Sequence, residues 1–296
     1  MRVRVESIGL FENKDGLIKS SIELIRRAAQ DCIQKSRYEK KDICVIINVS
    51  IYRDKFFAEP AFASFVQNDL QINHEYKNFF DTKTLSFDIL NGALGFLNAC
   101  QVAGAMIVSG KAKTALIVSG DVVDLVINDK GSAPGFRVTG TAMLLDQVPD
   151  EESGFDKIFI KRFDDYMGAN ISYMNYDNKR LSILFKKDPN LEIIYLKLIS
   201  RAISEFFYQE NISLDDLDLI LPPQLSPGFV SKMADLIGGN RKKFIDVSRE
   251  DGDLFNASLP MAMGYVFDNR LASPGQKALI VNAGSGLQVA CAIYNF

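Results

Sequence analysis

Lys113-Thr114-Ala115-Leu116-Ile117-Val118-Ser119-Gly120 and Gln276-Lys277-Ala278-Leu279-Ile280-Val281-Asn282-Ala283 are two copies of one strand pattern, with Ala115 and Ala278 163 residues apart. Each is apolar at successive positions, as a strand buried on both faces requires. Ahead of each copy comes a shorter strand-like run (residues 85–89; residues 243–247), a Gly-containing turn and a long apolar helix (about residues 93–108; about residues 256–267). The echo continues upstream. In the first half, Ile18, Ile22, Ile25, Ala29 and Cys32 mark an amphipathic helix entered at Asp15-Gly16. A charged turn over residues 37–42 and a strand over residues 43–49 follow. In the second half, Leu196, Ile199, Ile203 and Phe206 mark a helix, residues 211–216 a polar turn and residues 217–221 a strand. Repeats of this length, in strand-helix-strand order, predict a duplicated α/β unit rather than a solenoid. The boundary is expected within residues 147–155, where Pro149 and a run of acidic residues interrupt the pattern, giving halves 1–150 and 151–296 with one shared core.

The 296 residues carry 34 Lys and Arg against 37 Asp and Glu, a net charge of −3, with 47% hydrophobic residues, no Trp and one His. This is a globular composition with enough chain to bury a large core. Without a dense basic block, neither nucleic acid nor an anionic membrane is expected as a partner. Cys32, Cys44, Cys100 and Cys291 each fall in an apolar stretch, and no pair has the spacing of a metal site, so buried reduced thiols are expected. The first residues lack the continuous apolar region of a signal peptide, so a cytoplasmic location is expected.

Residues 89–110 hold no charge and are long enough to cross a bilayer, but Asn91, Asn98, Gln101 and Ser109 argue for a helix buried on all sides in a soluble core. Gly284-Ser285-Gly286 lacks the third glycine and the following helix of a dinucleotide loop and reads as a tight turn. His74 lies in a polar loop and reads as a surface residue. The Phe-rich stretch from Phe56 to Phe65 could line a pocket, though packing at a dimer interface is favoured.

Phe87-Asp88-Ile89-Leu90-Asn91-Gly92-Ala93-Leu94-Gly95-Phe96, the long helix after it, and the strand from Thr114 resemble the nucleophile segment of the ketoacyl-acyl-carrier-protein synthase III family. Residues 215–224 resemble the family's catalytic His strand and turn, residues 252–260 its catalytic Asn loop, and residues 282–293 its closing Gly-rich strand. The resemblance implies the thiolase fold, an α/β protein whose duplicated unit forms a layered α-β-α-β-α architecture. In that family a Cys at the N-terminus of the buried helix is acylated, and His and Asn bind the thioester carbonyl and assist decarboxylation.

The resemblance places Ala93 at the Cys position, Pro223 at the His position and Asp253 at the Asn position, with Ala257-Ser258 and Pro260 holding the register. No catalytic residue of the family is then intact. Asp253 could serve as a carboxylate base and Cys100 as a displaced thiol two turns along the same helix. Asn256 is an out-of-register alternative to the family Asn. Between the first strand (about residues 3–8) and the first helix only residues 9–16 remain, and with no Trp the family's adenine platform for coenzyme A is missing. No cofactor and no metal are expected.

The family is dimeric through the strand matched here by residues 85–89. The expectation is therefore a non-catalytic subunit that pairs with a catalytically intact ketosynthase III-like homologue, or with itself, in fatty-acid-derived or polyketide biosynthesis. Acyl carrier protein or an acyl thioester is a further expected partner. The alternative is an acyltransferase or condensing enzyme on acyl thioesters with a non-standard mechanism.

Overall fold

In the computed structural model the described residues are 2–74, 83–122, 126–128, 135–148, 153–177, 180–249 and 252–296. The first half runs β1 (Arg2–Glu12), α1 (Ser21–Lys35), β2 (Val45–Asn48), α2 (Phe62–Leu70), β3 (Leu85–Asp88), α3 (Gly95–Val108), β4 (Thr114–Gly120), β5 (Val126–Asn128) and β6 (Thr139–Val148). The second runs β7 (Gly154–Arg162), β8 (Asn170–Asp177), β9 (Arg180–Lys187), α4 (Leu191–Glu210), β10 (Leu219–Leu221), α5 (Phe229–Ile237), α6 (Ser258–Asp268), β11 (Lys277–Gly284) and β12 (Gln288–Asn295).

The repeated stretches form β4 and β11, and each occupies the same place in its part of one nine-stranded sheet ordered β10-β11-β12-β7-β1-β6-β4-β2-β3. β4 pairs parallel with β2, Ala115 opposite Val45, and β11 pairs parallel with β10, Ala278 opposite Leu219. On its other side each meets an antiparallel strand, β6 or β12. The two sets join where β1 meets β7 at Val3 and Phe155. Pro149 and the acidic residues expected at the boundary lie outside the described residues.

Successive side chains of a strand point to opposite faces, and here both faces are covered by helices. Leu116 of β4 joins Ile25, Ala29, Phe62 and Val66 of α1 and α2 in one outer core. Its neighbour Ile117 points the other way, into a central core built from α3 (Leu97, Cys100, Ala103) and α6 (Met263, Val266), which also takes Leu221 and Ile280 from the second set of strands. Ile220 and Val281 face a second outer core with α4 and α5 (Leu198, Phe206, Phe229, Met233). The result is the five-layered α-β-α-β-α arrangement of the thiolase fold, and each fully buried Leu or Ile in it contributes about 1.5–3 kcal/mol. Two glycines let α1 lie almost on the backbone of the sheet: a Cβ at Gly9 would stand 1.9 Å from the Ala28 carbonyl oxygen, and one at Gly140 2.1 Å from that of Leu24.

Four elements depart from the sequence reading. α1 starts at Ser21, not at Asp15-Gly16, because Ser20 caps it and the Asp54 carboxylate accepts from the Ser21 and Ile22 amides (2.9 and 3.3 Å) at the positive end of the helix. The expected strand over residues 243–247 is reduced to one bridge between Phe244 and Ile220. Beyond it, the Gln224 side chain takes the place of a neighbouring strand, donating to the Ile245 carbonyl and accepting from the Val247 amide, both at 2.9 Å.

The apolar segment 89–110 is not buried on all sides: Gln101, Val102, Ala105 and Val108 of α3 are exposed, with Val102 at 40% and Val108 at 49%. The Phe-rich stretch divides: Phe62 is fully buried in the outer core with Phe57 and Phe65 against it, while Phe56 and Phe57 also line a depression of about 460 Å³, as the pocket alternative expected. Among the described residues no helix is long and apolar enough to cross a membrane.

Candidate active site

The N-terminal end of α3 is where the two repeats meet. Gly92, with φ of 51°, opens a tight helical turn over Gly92–Leu94 that runs into α3. Ala93, in that turn, is buried, and its carbonyl accepts from the Asn282 side chain of β11 at 3.2 Å. Gly284, at the end of β11, comes close enough that a Cβ there would stand 2.3 Å from the Leu94 side chain. The three-residue turn after it, Ser285-Gly286-Leu287, joins β11 to β12. Gly284-Ser285-Gly286 is therefore a hairpin turn, and Ser285 reaches the same pocket as Ala93.

Asp253 arrives from the opposite side, pinned by its backbone. Its amide donates to the Gly135 carbonyl (3.0 Å), and its carbonyl accepts from the Arg137 amide (2.9 Å). One carboxylate oxygen accepts from the Phe255 amide at 2.8 Å. Phe255 is held at φ 47°, a left-handed conformation that a bulky residue rarely adopts. This turns its ring toward Gly92 and into a stack with Tyr52 and Phe136, at centroid separations of 5.6 and 5.4 Å.

Ala93, Asp253, Phe255 and Ser285 share a cavity of about 270 Å³. Its outer wall comes from Phe136 and from residues between β7 and the first turns of α4: Asn170, Phe185, Lys187 and Tyr195. Two other depressions, of about 200 and 460 Å³, hold neither Ala93 nor Asp253.

Burial pushes the Asp253 carboxyl up to about 6, against the charge of Lys187 and the Phe255 amide, which both pull it down. The residue as a whole is only half-buried, so the desolvation falls on the carboxyl group itself. Asn256 is not in the cavity. Its Nδ2 donates to the Val49 carbonyl (2.9 Å) and to Asp121 (3.0 Å), tying the second half to the first. Asp121 is buried with no cation in contact among the described residues and accepts also from the Ile51 and Tyr52 amides (2.8 Å each) and Ser119 (3.0 Å). Its burial drives its pKa upward, and those donors offset part of the rise.

Of the residues singled out in sequence, the structure brings Ala93 and Asp253 together. Pro223 is buried after β10 but does not line the cavity, which on that side is reached by Leu225 and Ser226. Cys100 lies in the central core, where burial raises its thiol pKa far above that of a free cysteine. Cys32 and Cys291 are also buried, with Cys32 pushed up to about 11, and Cys44 is half-buried; all four are free thiols. His74 is exposed, as read. Among the described residues no cluster of His, Cys, Asp and Glu could hold a metal ion.

Two family models match the chain: 3-oxoacyl-[acyl-carrier-protein] synthase III over residues 87–161 and the C-terminal part of the same synthase over residues 207–296. The chain is a ketosynthase III-like protein of the thiolase superfamily. It is 25% identical to the β-ketoacyl-[acyl-carrier-protein] synthase III of Clostridium perfringens over 290 residues, covering 94% of this chain and 86% of that one. It is also 25% identical to the corresponding synthase of Neorickettsia sennetsu over 285 residues, covering 93% and 83%. The OleA protein of Xanthomonas campestris, solved with bound lauric acid and lauroyl-CoA, superposes over 100% of this chain and 99% of its own with a TM-score of 0.81 at 16% identity, which identifies a common fold. That superposition spans both halves of this chain and so both sides of the Ala93 cavity.

Proposed function

We propose that this ketosynthase III-like chain is a non-catalytic subunit that pairs with a catalytically intact homologue in fatty-acid-derived or polyketide biosynthesis. The observation that carries the reading is Ala93: the start of α3 opens on a cavity, yet the side chain there is a methyl group. By the family resemblance this is the nucleophile position, Pro223 the His position and Asp253 the Asn position. Alanine supplies no nucleophile, and proline supplies neither a titratable group nor a backbone N–H. Cys100 does not substitute, because a buried thiol with a raised pKa is not a thiolate near neutral pH.

Pairing is supported by the β3 edge of the sheet, beyond which no further strand lies among the described residues. β3 ends the strand order with Leu85 53% exposed, and Leu90 just beyond it is 52% exposed. Val102 and Val108 of α3 add further exposed apolar surface. An unpaired strand edge with apolar side chains is a template for strand pairing with a second chain. In this reading the chain supplies an interface and a pocket wall, and an acyl carrier protein or acyl thioester is engaged by the pair.

Co-expression with a Cys-containing ketosynthase III homologue from a neighbouring gene should yield a heterodimer, and replacing both Leu85 and Leu90 with Lys should reduce its recovery at least about tenfold. A strict homodimer indifferent to that homologue would contradict the heteromeric assignment. A second reading, an acyltransferase or condensing enzyme with a displaced mechanism, is favoured by Asp253, a carboxyl titrating at about 6 in the cavity and so able to act as a base at neutral pH. Loss of pathway flux on replacing Asp253 with Ala, with the heterodimer intact, would favour that second reading.

A further inference from the structure

The cavity's charge and its unmet hydrogen-bonding group describe a ligand. Its described lining carries three carboxylates, Asp188, Glu192 and Asp253, against one cation, Lys187. Two of the three carboxylates are partly engaged: Glu192 pairs with Lys232 at 3.0 Å outside the lining, and Asp188 accepts from the Asn190 amide at 2.8 Å. Asp253 has only the Phe255 amide as a hydrogen-bond donor and no ion pair among the described residues. Asn170, which also lines the cavity, is 6% exposed and donates from Nδ2 to the Tyr195 hydroxyl at 3.0 Å, while its buried Oδ1 has no partner among the described residues. A buried amide oxygen without a donor costs about 1–3 kcal/mol unless something supplies one.

The rings of Phe136, Phe185 and Phe255 line the same cavity. Aromatic faces attract cations, and Lys187 already holds its ammonium 4.8 Å from the Phe185 centroid at the cavity wall.

We propose that the cavity binds a small organic amine in its ammonium form, with the N–H groups directed at the Asp253 carboxylate and the Asn170 oxygen and an apolar body against the phenylalanine rings. The chemistry is opposite in sign to that of a carboxylate or a malonyl group, which would add negative charge beside Asp253. The inference rests on the reading that this cavity no longer forms an acyl-enzyme, since an acyl group fixed at its floor would compete for the same 270 Å³.

Isothermal titration of the full chain at pH 7.5 with three probes of similar size tests it: phenethylamine, 2-phenylethanol and 3-phenylpropionate. Phenethylamine should bind at least about tenfold more tightly than either of the others, and Asp253→Asn should weaken it at least about tenfold. Asp253→Asn keeps the side-chain volume and the acceptor for the Phe255 amide, so a melting curve no lower than that of the native chain shows that it is folded. Equal or tighter binding of the alcohol or the carboxylate, no detectable amine binding at millimolar concentration, or undiminished amine binding by Asp253→Asn would each overturn the proposal. Intact-mass analysis of the same preparation after exposure to an acyl thioester separates the two readings. An acyl adduct defeats the non-catalytic assignment whatever the titration shows. An unmodified chain that ignores phenethylamine defeats the ligand proposal alone.

Discussion

Ala93→Cys should be alkylated by iodoacetamide at pH 7.5 at least about tenfold faster than any of the four native cysteines. The new thiol would stand in the first turn leading into α3, where the unpaired amides and the helix dipole favour a thiolate, and it would open on the cavity that Ala93 lines. The Asp253 carboxylate in the same cavity works against ionisation, so the expected rate is that of an accessible thiol of ordinary pKa or somewhat below it. The native cysteines lack both advantages. Cys32, Cys100 and Cys291 are buried with raised pKa values, and the half-buried Cys44 rests its sulfur 3.6 Å from the Asp42 carbonyl. Peptide mapping of the labelled chain reads the result. Labelling of position 93 no faster than that of Cys44 would mean that the start of α3 does not open on the cavity.

Asp253→Asn should stabilise the chain at neutral pH. A carboxyl whose folded pKa is raised to about 6, from an unfolded value near 4, binds its proton more tightly in the folded state. Its contribution to stability is therefore full below about pH 4 and is lost as the pH rises through 6. At pH 7.5 the ionised group costs the native state up to about 3 kcal/mol, and its partial exposure brings the expected gain on replacement to about 1–3 kcal/mol. Asparagine keeps the acceptor for the Phe255 amide and carries no charge. Urea unfolding should show the variant more stable than the native chain at pH 7.5 and the difference vanishing near pH 4. A variant less stable at pH 7.5, or a gain independent of pH, would mean that the carboxylate is solvated or paired.

The duplicated architecture was legible because a strand covered on both faces must be apolar at every position. That makes β4 and β11 stand out as runs such as Ala115-Leu116-Ile117-Val118 and Ala278-Leu279-Ile280-Val281. Residues 243–247 misled for a non-local reason: the hydrogen bonds that would have made a strand are supplied by the side chain of Gln224. The helix α3 misled because an apolar run does not say whether what covers it is the chain's own core or another molecule. The start of α1 depended on Asp54, 33 residues beyond Ser21, which no local cap pattern discloses.

Within the cavity, Ala93 and Asp253 were found through the family motifs around them. Asn170, Phe185, Lys187 and Tyr195 carry no motif and are brought there by the small sheet of β5, β9 and β8 and by the first turns of α4. Their only signal in sequence is the strand-like run Arg180-Leu181-Ser182-Ile183-Leu184-Phe185, which locates a strand without saying what it faces.

We propose, then, a chain that keeps the ketosynthase III architecture without its covalent chemistry. Intact-mass spectrometry of the purified native chain after incubation with acyl thioesters of several chain lengths tests this most directly. The prediction is an unmodified mass for every thioester, and a stoichiometric acyl adduct on the native chain would contradict it.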